Sequence, residues 1–378
     1  MRPLALLLRA GAVVALLAVA FSLLDGDEPL QVAQATPRSA DATAAQAAKA
    51  TRAKRKLAPP PPGRVTLVAV GDIVMGSTPN LPPDGGAGFF ADVESDLSGD
   101  VVLGNLEGTL TGASGSKCGA GSSNCYSFRT PPSYARWLKQ AGFTVLNLAN
   151  NHANDFGAAG RKETVRTLDG QGLLHTGRPG EIAYQQIGDL TVALVGFASY
   201  PWAQSLTDIP AARRLVKRAA AKADLVVVTF HGGAEGASKQ RVVRGTEWFL
   251  GENRGNLVAF AHAVVDAGAD LVVGHGPHVL RGMEWYRGRL IAYSLGNFAG
   301  YKVFSLDGPL SVSGILRLTL RGDGRFESGI LVPTHLVGPG VPQLDPGERA
   351  HGLVRDLSRL DFGGHGVTVA PTGALGRR

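Results

Sequence analysis

From residue 64 onward the chain repeats one pattern: a short apolar run, then glycine or a small polar turn, then a side chain able to do chemistry. Residues 65–70 read VTLVAV and close on Gly71 and Asp72. Residues 101–103 close on Gly104, Asn105, Leu106 and Glu107, and residues 143–148 on Ala149, Asn150, Asn151 and His152. Short apolar runs bounded by Gly and Asn predict buried strands. The same reading predicts strands over 190–197, 225–230, 271–273 and 290–293, and a hairpin-like pair over 311–320 and 325–331. Segments 133–141, 158–170, 211–223 and 256–267 read as helices placed between strands. Alternation of strand and helix predicts an α/β fold. The late strands have few helices among them and predict a mixed sheet or a second sheet. The sequence contains no internal repeat.

The two ends of the chain follow different rules. Arg2 and Arg9 flank an apolar run over 10–24, and Asp25, Asp27 and Glu28 follow it. The run falls between the length of a signal-peptide core and that of a full span. Counting from Leu4, with Arg9 reaching back to the interface, gives an uncleaved membrane anchor. Ala18, Val19 and Ala20 instead offer a cleavage site to a signal peptidase. Both routes export the body, and the basic residues before the run favour an N-terminus inside and a body outside. The expectation is a protein held at the cell membrane with an extracytoplasmic body, or secreted if the segment is cleaved. Residues 25–63 are rich in Ala, Gln and Thr and end in Pro59, Pro60, Pro61, Pro62 and Gly63, the composition of a disordered linker. The predicted organisation is therefore a signal or anchor over 1–24, a linker over 25–63, a folded domain over 64–336 and a peripheral tail over 337–378.

Composition changes this picture in two places. A hydrophobic content of 44% in 378 residues can build a sizeable core. The net charge of +7 invites a nucleic-acid reading, yet residues 1–63 carry eight Lys/Arg against four Asp/Glu, so most of the excess lies in the tail. The body is close to neutral and has no arginine–aromatic stripe to stack bases, so no nucleic-acid partner is expected. The cluster Lys49, Arg52, Lys54, Arg55 and Lys56 reads as a solvated linker facing anionic polymer or lipid. Cys118 and Cys125 lie in the polar loop KCGAGSSNCYS with no further cysteine or nearby histidine. Two thiols are too few for a metal knuckle, so a local disulfide that pins the loop is predicted, in keeping with export.

The candidate chemistry sits at the strand ends. Asp72, Asn105, Glu107, Asn150, Asn151 and His152 follow the first three predicted strands. His231 and Glu235 follow the run 225–230, His275 and His278 the run 271–273, and Asn297 the run 290–293. Any one of these could cap a turn or a helix. Several strand ends that supply Asp, Glu, Asn and His together argue for a shared site, because ligands in α/β folds bind at strand ends. Oxygen and nitrogen donors without thiolate suit Mn, Fe, Zn or Mg, and do not choose among them.

The ordered set VAVGDIVMG, GNLEGTLT, FRTPPSYARWLKQAGF, LANNHANDFG, FHGGAE, GADLVVGHGPHVL and IAYSLGNF resembles the CapA family of poly-γ-glutamate capsule proteins, a branch of the calcineurin-like metallophosphoesterase superfamily. The resemblance runs from about residue 65 to about residue 336. It implies a four-layer α/β/β/α sandwich with two divalent metal ions at the strand ends. It further implies Asp72, Glu107, Asn151, His231, His275 and His278 as metal ligands and His152 as the residue acting on substrate. Asn105, Asn150, Glu235 and Asn297 would support the ligands, with Glu235 orienting His231. The chain departs from the superfamily pattern at two points. Ile73 and Val74 follow Asp72 where an Asp-x-His pair is usual, and His275 and His278 are three residues apart rather than two. Two functions are compatible with this set. One is a metal-dependent hydrolase of phosphoesters or γ-glutamyl polymer. The other is a non-catalytic, membrane-anchored component of polymer synthesis or export, partnered by anionic polymer and capsule-synthesis membrane proteins.

Overall fold

A computed structural model describes residues 63–119 and 125–377. The predicted anchor over 1–24 and nearly all of the linker over 25–63 lie outside the described residues. Among those described, no helix is long and apolar enough to cross a membrane.

The chain lays down part of one sheet, then a second sheet, and then returns to the first. Strands β1 (Arg64–Val74), β2 (Val101–Leu106), β3 (Val145–Asn147) and β4 (Leu174–Thr176) run parallel, in that order. The second sheet takes β5 (Ala183–Ile187), β6 (Leu190–Ala198), β7 (Leu225–His231), β8 (Leu271–His275), β9 (Met283–Tyr286) and β10 (Arg289–Ala292). Its order is β9-β10-β8-β7-β6-β5, with a parallel centre and an antiparallel strand at each edge. Strand β11 (Asn297–Gly300) then joins the first sheet beside the end of β1. It is followed by the antiparallel meander β12 (Val312–Arg321), β13 (Phe326–Val337) and β14 (Val341–Leu344).

The period-2 rule explains why these runs are apolar almost throughout: each central strand is buried on both faces. Val65, Leu67 and Ala69 of β1 face Val192 and Leu194 of β6 and Leu225 and Val227 of β7 across one core between the sheets. Val68 and Val70 face outward, onto Tyr134 and onto Ala135 and Leu138 of α1 (Ala135–Gln140), with Leu168 of α2 (Gly157–Gly170) in the same layer. Ala193, Val195, Val226 and Val228 pack outward on α3 (Ile209–Ala220) and α4 (Leu257–Ala267). The mixed sheets thus lie face to face with helices outside both.

Local chemistry sets the helix starts. Asp208 caps α3 by accepting from the Ala211 N–H at 2.9 Å, with Pro210 in its first turn, so this helix begins two residues before the predicted one. Asn256 caps α4 in the same way at 3.1 Å. Cys118 and Cys125 are joined by a disulfide.

The expectation of a peripheral tail over 337–378 is corrected. Strand β14 extends the first sheet, and α5 (Arg349–Phe362) inserts Ala350 and Val354 into the core between the sheets. Val367, Val369 and Leu375 join the same core. The four-residue spacing of Ala350 and Val354 supplies a buried stripe even though the segment is rich in Gly and Arg.

Candidate metal centre

Register, rather than sequence proximity, assembles the site. Asp72 pairs with Asn105 of β2 on one side and with Asn297 of β11 on the other. Asn105 pairs with Asn147 of β3, and in the second sheet His231 pairs with His275. The approach of backbone at the end of β1 requires Gly71: a Cβ there would lie 1.9 Å from the Gly296 carbonyl oxygen. That carbonyl accepts from the Asp72 N–H at 2.9 Å, which fixes the first acid.

Asp72, Glu107 and His231 are fully buried and offer ligand atoms that all lie within 4.8 Å of one another. The His275 Nδ1 is 3.6 Å from Asp72 Oδ1. The His278 Nδ1 is 3.1 Å from Asp72 Oδ2, and its Nε2 is 3.6 Å from Glu107 Oε1. His278 takes a left-handed backbone (φ 61), which turns its ring toward the acids. Both Glu107 oxygens, His231 Nε2 and both His275 nitrogens are buried without a hydrogen-bond partner. Buried polar atoms are normally satisfied, so orphans gathered from three strand ends are what a cation-binding cluster leaves when its charge is carried by protons. The donor set fits the divalent ions expected from the sequence.

Protonation follows from burial and neighbours. Burial works to raise the Asp72 carboxyl, but the hydrogen bond and charge of His278 overcome it and hold it below the usual carboxylate range. Burial raises Glu107 well above that range, with the neighbouring Asp72 and Glu235 pushing the same way. Burial lowers His231 well below its ordinary value and His275 to about 4, so both rings are neutral near pH 7, as metal ligation requires. His278 goes the other way. Burial opposes its charge, yet Glu107, Asp72 and Glu235 raise it to about 10.

The supporting residues form a chain of amides. Asn105 Nδ2 donates to Asp72 Oδ1 at 2.7 Å and meets His231 Nδ1 at 3.1 Å. Its oxygen accepts from Asn147 at 2.8 Å and from Asn150 at 3.3 Å, and Asn150 also donates to the Leu106 carbonyl at 2.8 Å. Asn297 Oδ1 contacts His278 Nδ1 at 2.8 Å. Asn151 Oδ1 is buried and unpartnered. Glu235 stands elsewhere than expected: its Oε2 is 3.7 Å from His278 and its Oε1 is 2.7 Å from Arg254, so it serves those two rather than His231.

His152 points its Nε2 toward Glu107 Oε1 at 4.0 Å and stacks on Phe128 at 4.1 Å. Its Nδ1 is 2.8 Å from Asp155 Oδ2, an acid the sequence reading passed over. Asp155 is fully buried and also accepts from the Phe128 N–H at 2.6 Å, while Lys117 Nζ lies 2.6 Å from its other oxygen. The spacing of His152 and Asp155 within one turn was the available signal. Arg254 and the stacked pair Tyr200–Trp202 were also missed as a group, because they are scattered in sequence. Outside the site, His262 stacks on Tyr286 and pairs with Glu284, and His351 is buried against the Leu331 carbonyl rather than peripheral.

Comparison with known proteins adds an independent line. A family model described as "Bacterial capsule synthesis protein PGA_cap" matches residues 66–302. The "PGA biosynthesis protein CapA" of Bacillus subtilis (strain 168) is 33% identical over 281 residues, 68% of this chain and 69% of that protein. The "Capsule biosynthesis protein CapA" of Bacillus anthracis is 33% identical over 259 residues, 62% of this chain. The chain spans 59% of that relative's length. Among solved structures, a 5'-nucleotidase precursor from Thermus thermophilus aligns with TM-score 0.37 at 15% identity, over 79% of this chain and 59% of that one. Purple acid phosphatase PPD1 from yellow lupin aligns with TM-score 0.38 at 11% identity, over 76% of this chain and 55% of that one.

Proposed function

The chain belongs to the PGA_cap family of bacterial capsule synthesis proteins, and from that premise we propose that it is a metal-dependent hydrolase with an extracytoplasmic body. Its substrate would be a phosphoester or γ-glutamyl bond in a capsule polymer or its precursor. The supporting observation is the convergence of Asp72, Glu107 and His231, with unpartnered buried ligand atoms, from strands of two different sheets. A scaffold would gain nothing from desolvating acids and imidazoles together, since each buried unpaired group is destabilising.

Asp72, Glu107, His231 and His275 would hold the metal, joined by His278 once the cation displaces its proton, with Asn151 as a further oxygen donor. When bound, a divalent ion supplies Lewis-acid polarisation and an acidified water. Asp155 fixes the His152 ring through Nδ1, so Nε2 is the atom that holds or releases a proton on the side facing Glu107. Phe128 covers the ring face and limits access of bulk water. Asn105, Asn147 and Asn150 keep Asp72 and His231 in register through side-chain amides. The segment over 1–24 would hold the body at the membrane, beside the membrane proteins of polymer synthesis.

Metal analysis of the purified protein, followed by assay against phosphoester and γ-glutamyl substrates, tests the reading. Asp72→Ala, His231→Ala and His275→Ala should each lower bound metal; unchanged content in all three sinks the assignment. Bound metal without turnover of either substrate class would instead favour a non-catalytic, polymer-binding role.

A further inference from the structure

Arg254 has no role in the mechanism above, yet it is one of the largest fully buried side chains, at 1% exposure. Its backbone is fixed to the loop after β7: its carbonyl accepts from the Gly233 N–H at 2.9 Å, and its own N–H donates to the Glu247 carbonyl at 2.9 Å. Nη1 lies 2.7 Å from Glu235 Oε1 and 3.6 Å from Glu252 Oε2. Nε and Nη2 are buried and have no hydrogen-bond partner. These two nitrogens form one edge of the planar guanidinium, whose parallel N–H groups match the two oxygens of a carboxylate or phosphoryl group. Arg178 turns the same two nitrogens on a single oxygen, Glu181 Oε1, at 3.0 and 2.6 Å.

The location suits a ligand of the same site. Glu235 bridges Arg254 and His278, so the guanidinium stands one carboxylate away from the cluster. The Tyr200 ring lies 5.7 Å from the Arg254 Cζ and stacks on Trp202, whose Nε1 donates to the Asn150 carbonyl at 2.9 Å. Arg254 is thereby tied to the turn that carries His152. Leaving charged donors desolvated and unpaired is costly, and native proteins retain such groups where function compensates.

We propose that Arg254 is the anion-binding residue of this site, its Nε–Nη2 edge clamping a carboxylate or phosphoryl oxyanion of the substrate beside the cluster. This rests on the hydrolase reading and deepens it by making the substrate acidic. A γ-glutamyl chain, with one free carboxylate per residue, and a phosphoester share that chemistry. Neither nitrogen is open to solvent, so entry of the anion requires neighbouring side chains to shift.

The test is titration of full-length protein, metal-loaded and chelator-treated, with inorganic phosphate and with a γ-glutamyl oligomer. Arg254→Lys keeps the charge and loses the fork, and Arg254→Gln loses both. Both variants should bind the preferred anion about 10- to 100-fold more weakly at unchanged metal content. The tighter anion for wild type identifies the source. Variants that bind like wild type, or a wild type that binds neither anion in either metal state, overturn the proposal. Should both variants fail to fold, a wild-type crystal soaked with the tighter anion decides, and an anion out of hydrogen-bond reach of Arg254 is the negative result. Anion binding through Arg254 without turnover of any substrate would leave this inference standing while removing the hydrolase.

Discussion

At the residue scale, the pair His152–Asp155 and the acid Glu107 carry the sharpest expectations. His152→Ala should leave metal content nearly intact and cut turnover by about 10²- to 10⁴-fold, the range for a lost general acid. Asp155→Ala keeps the ring but loses the acceptor that fixes its tautomer, and should cost about 10- to 100-fold. Kinetics alongside metal analysis separates the cases, and metal loss in His152→Ala would make that residue a ligand. Glu107 gives a pH test. Burial raises its carboxyl in the metal-free protein, so it holds a proton that a bound cation must displace. Metal affinity should therefore rise with pH, with proton release on loading visible to an indicator dye. Glu107→Gln should reduce that release, leaving the proton that His278 gives up. A wild-type affinity that does not change with pH would contradict the assignment.

At the scale of elements, α5 and the strands that end the chain complete the core rather than decorate it. Val354 is fully buried between the sheets, along with Ala350 and Val367. Val354→Ala should cost about 2 kcal/mol, from two methyl groups removed and the cavity left. Val354→Asp should cost more than about 4 kcal/mol, because an unpaired charge would be buried. Thermal or denaturant unfolding measures both, and a Val354→Asp protein as stable as wild type would return 337–378 to the periphery. The disulfide loop belongs to this scale too. Lys117 precedes Cys118 and holds Asp155, so the residue next to the disulfide contacts the His152 pair directly.

At the scale of the whole molecule, export and the redox state of the loop are one question. If the body lies outside the cytoplasm, Cys118 and Cys125 should be oxidised in protein recovered from cells, because oxidising compartments preserve such bonds. Mass spectrometry under alkylating conditions decides it, and two free thiols in extracytoplasmic material would count against the exported reading. Protease treatment of intact cells gives the orientation independently: a body outside is degraded and a body inside is protected.

What the sequence determined by itself is local. The β-branched runs, the glycines at their ends and the polar residues that follow are short-range signals, so the strands and the acids, amides and imidazoles at their ends were legible, as was the disulfide. The ordered motifs also carried the family. Whether those ends meet is decided through space. Asp72 and Glu107 come from one sheet and His231 and His275 from the other, and only parallel register within each sheet and packing between them bring the sets within ligand distance. Asp155 had a local signal in its spacing from His152, but Arg254 and the true partner of Glu235 were illegible for the same reason: their meaning lies in what they touch, and those contacts are made through space. The closing helix was hidden by composition, because a stripe of Ala350 and Val354 in a Gly- and Arg-rich segment gains its weight only once two sheets leave a gap for it to fill.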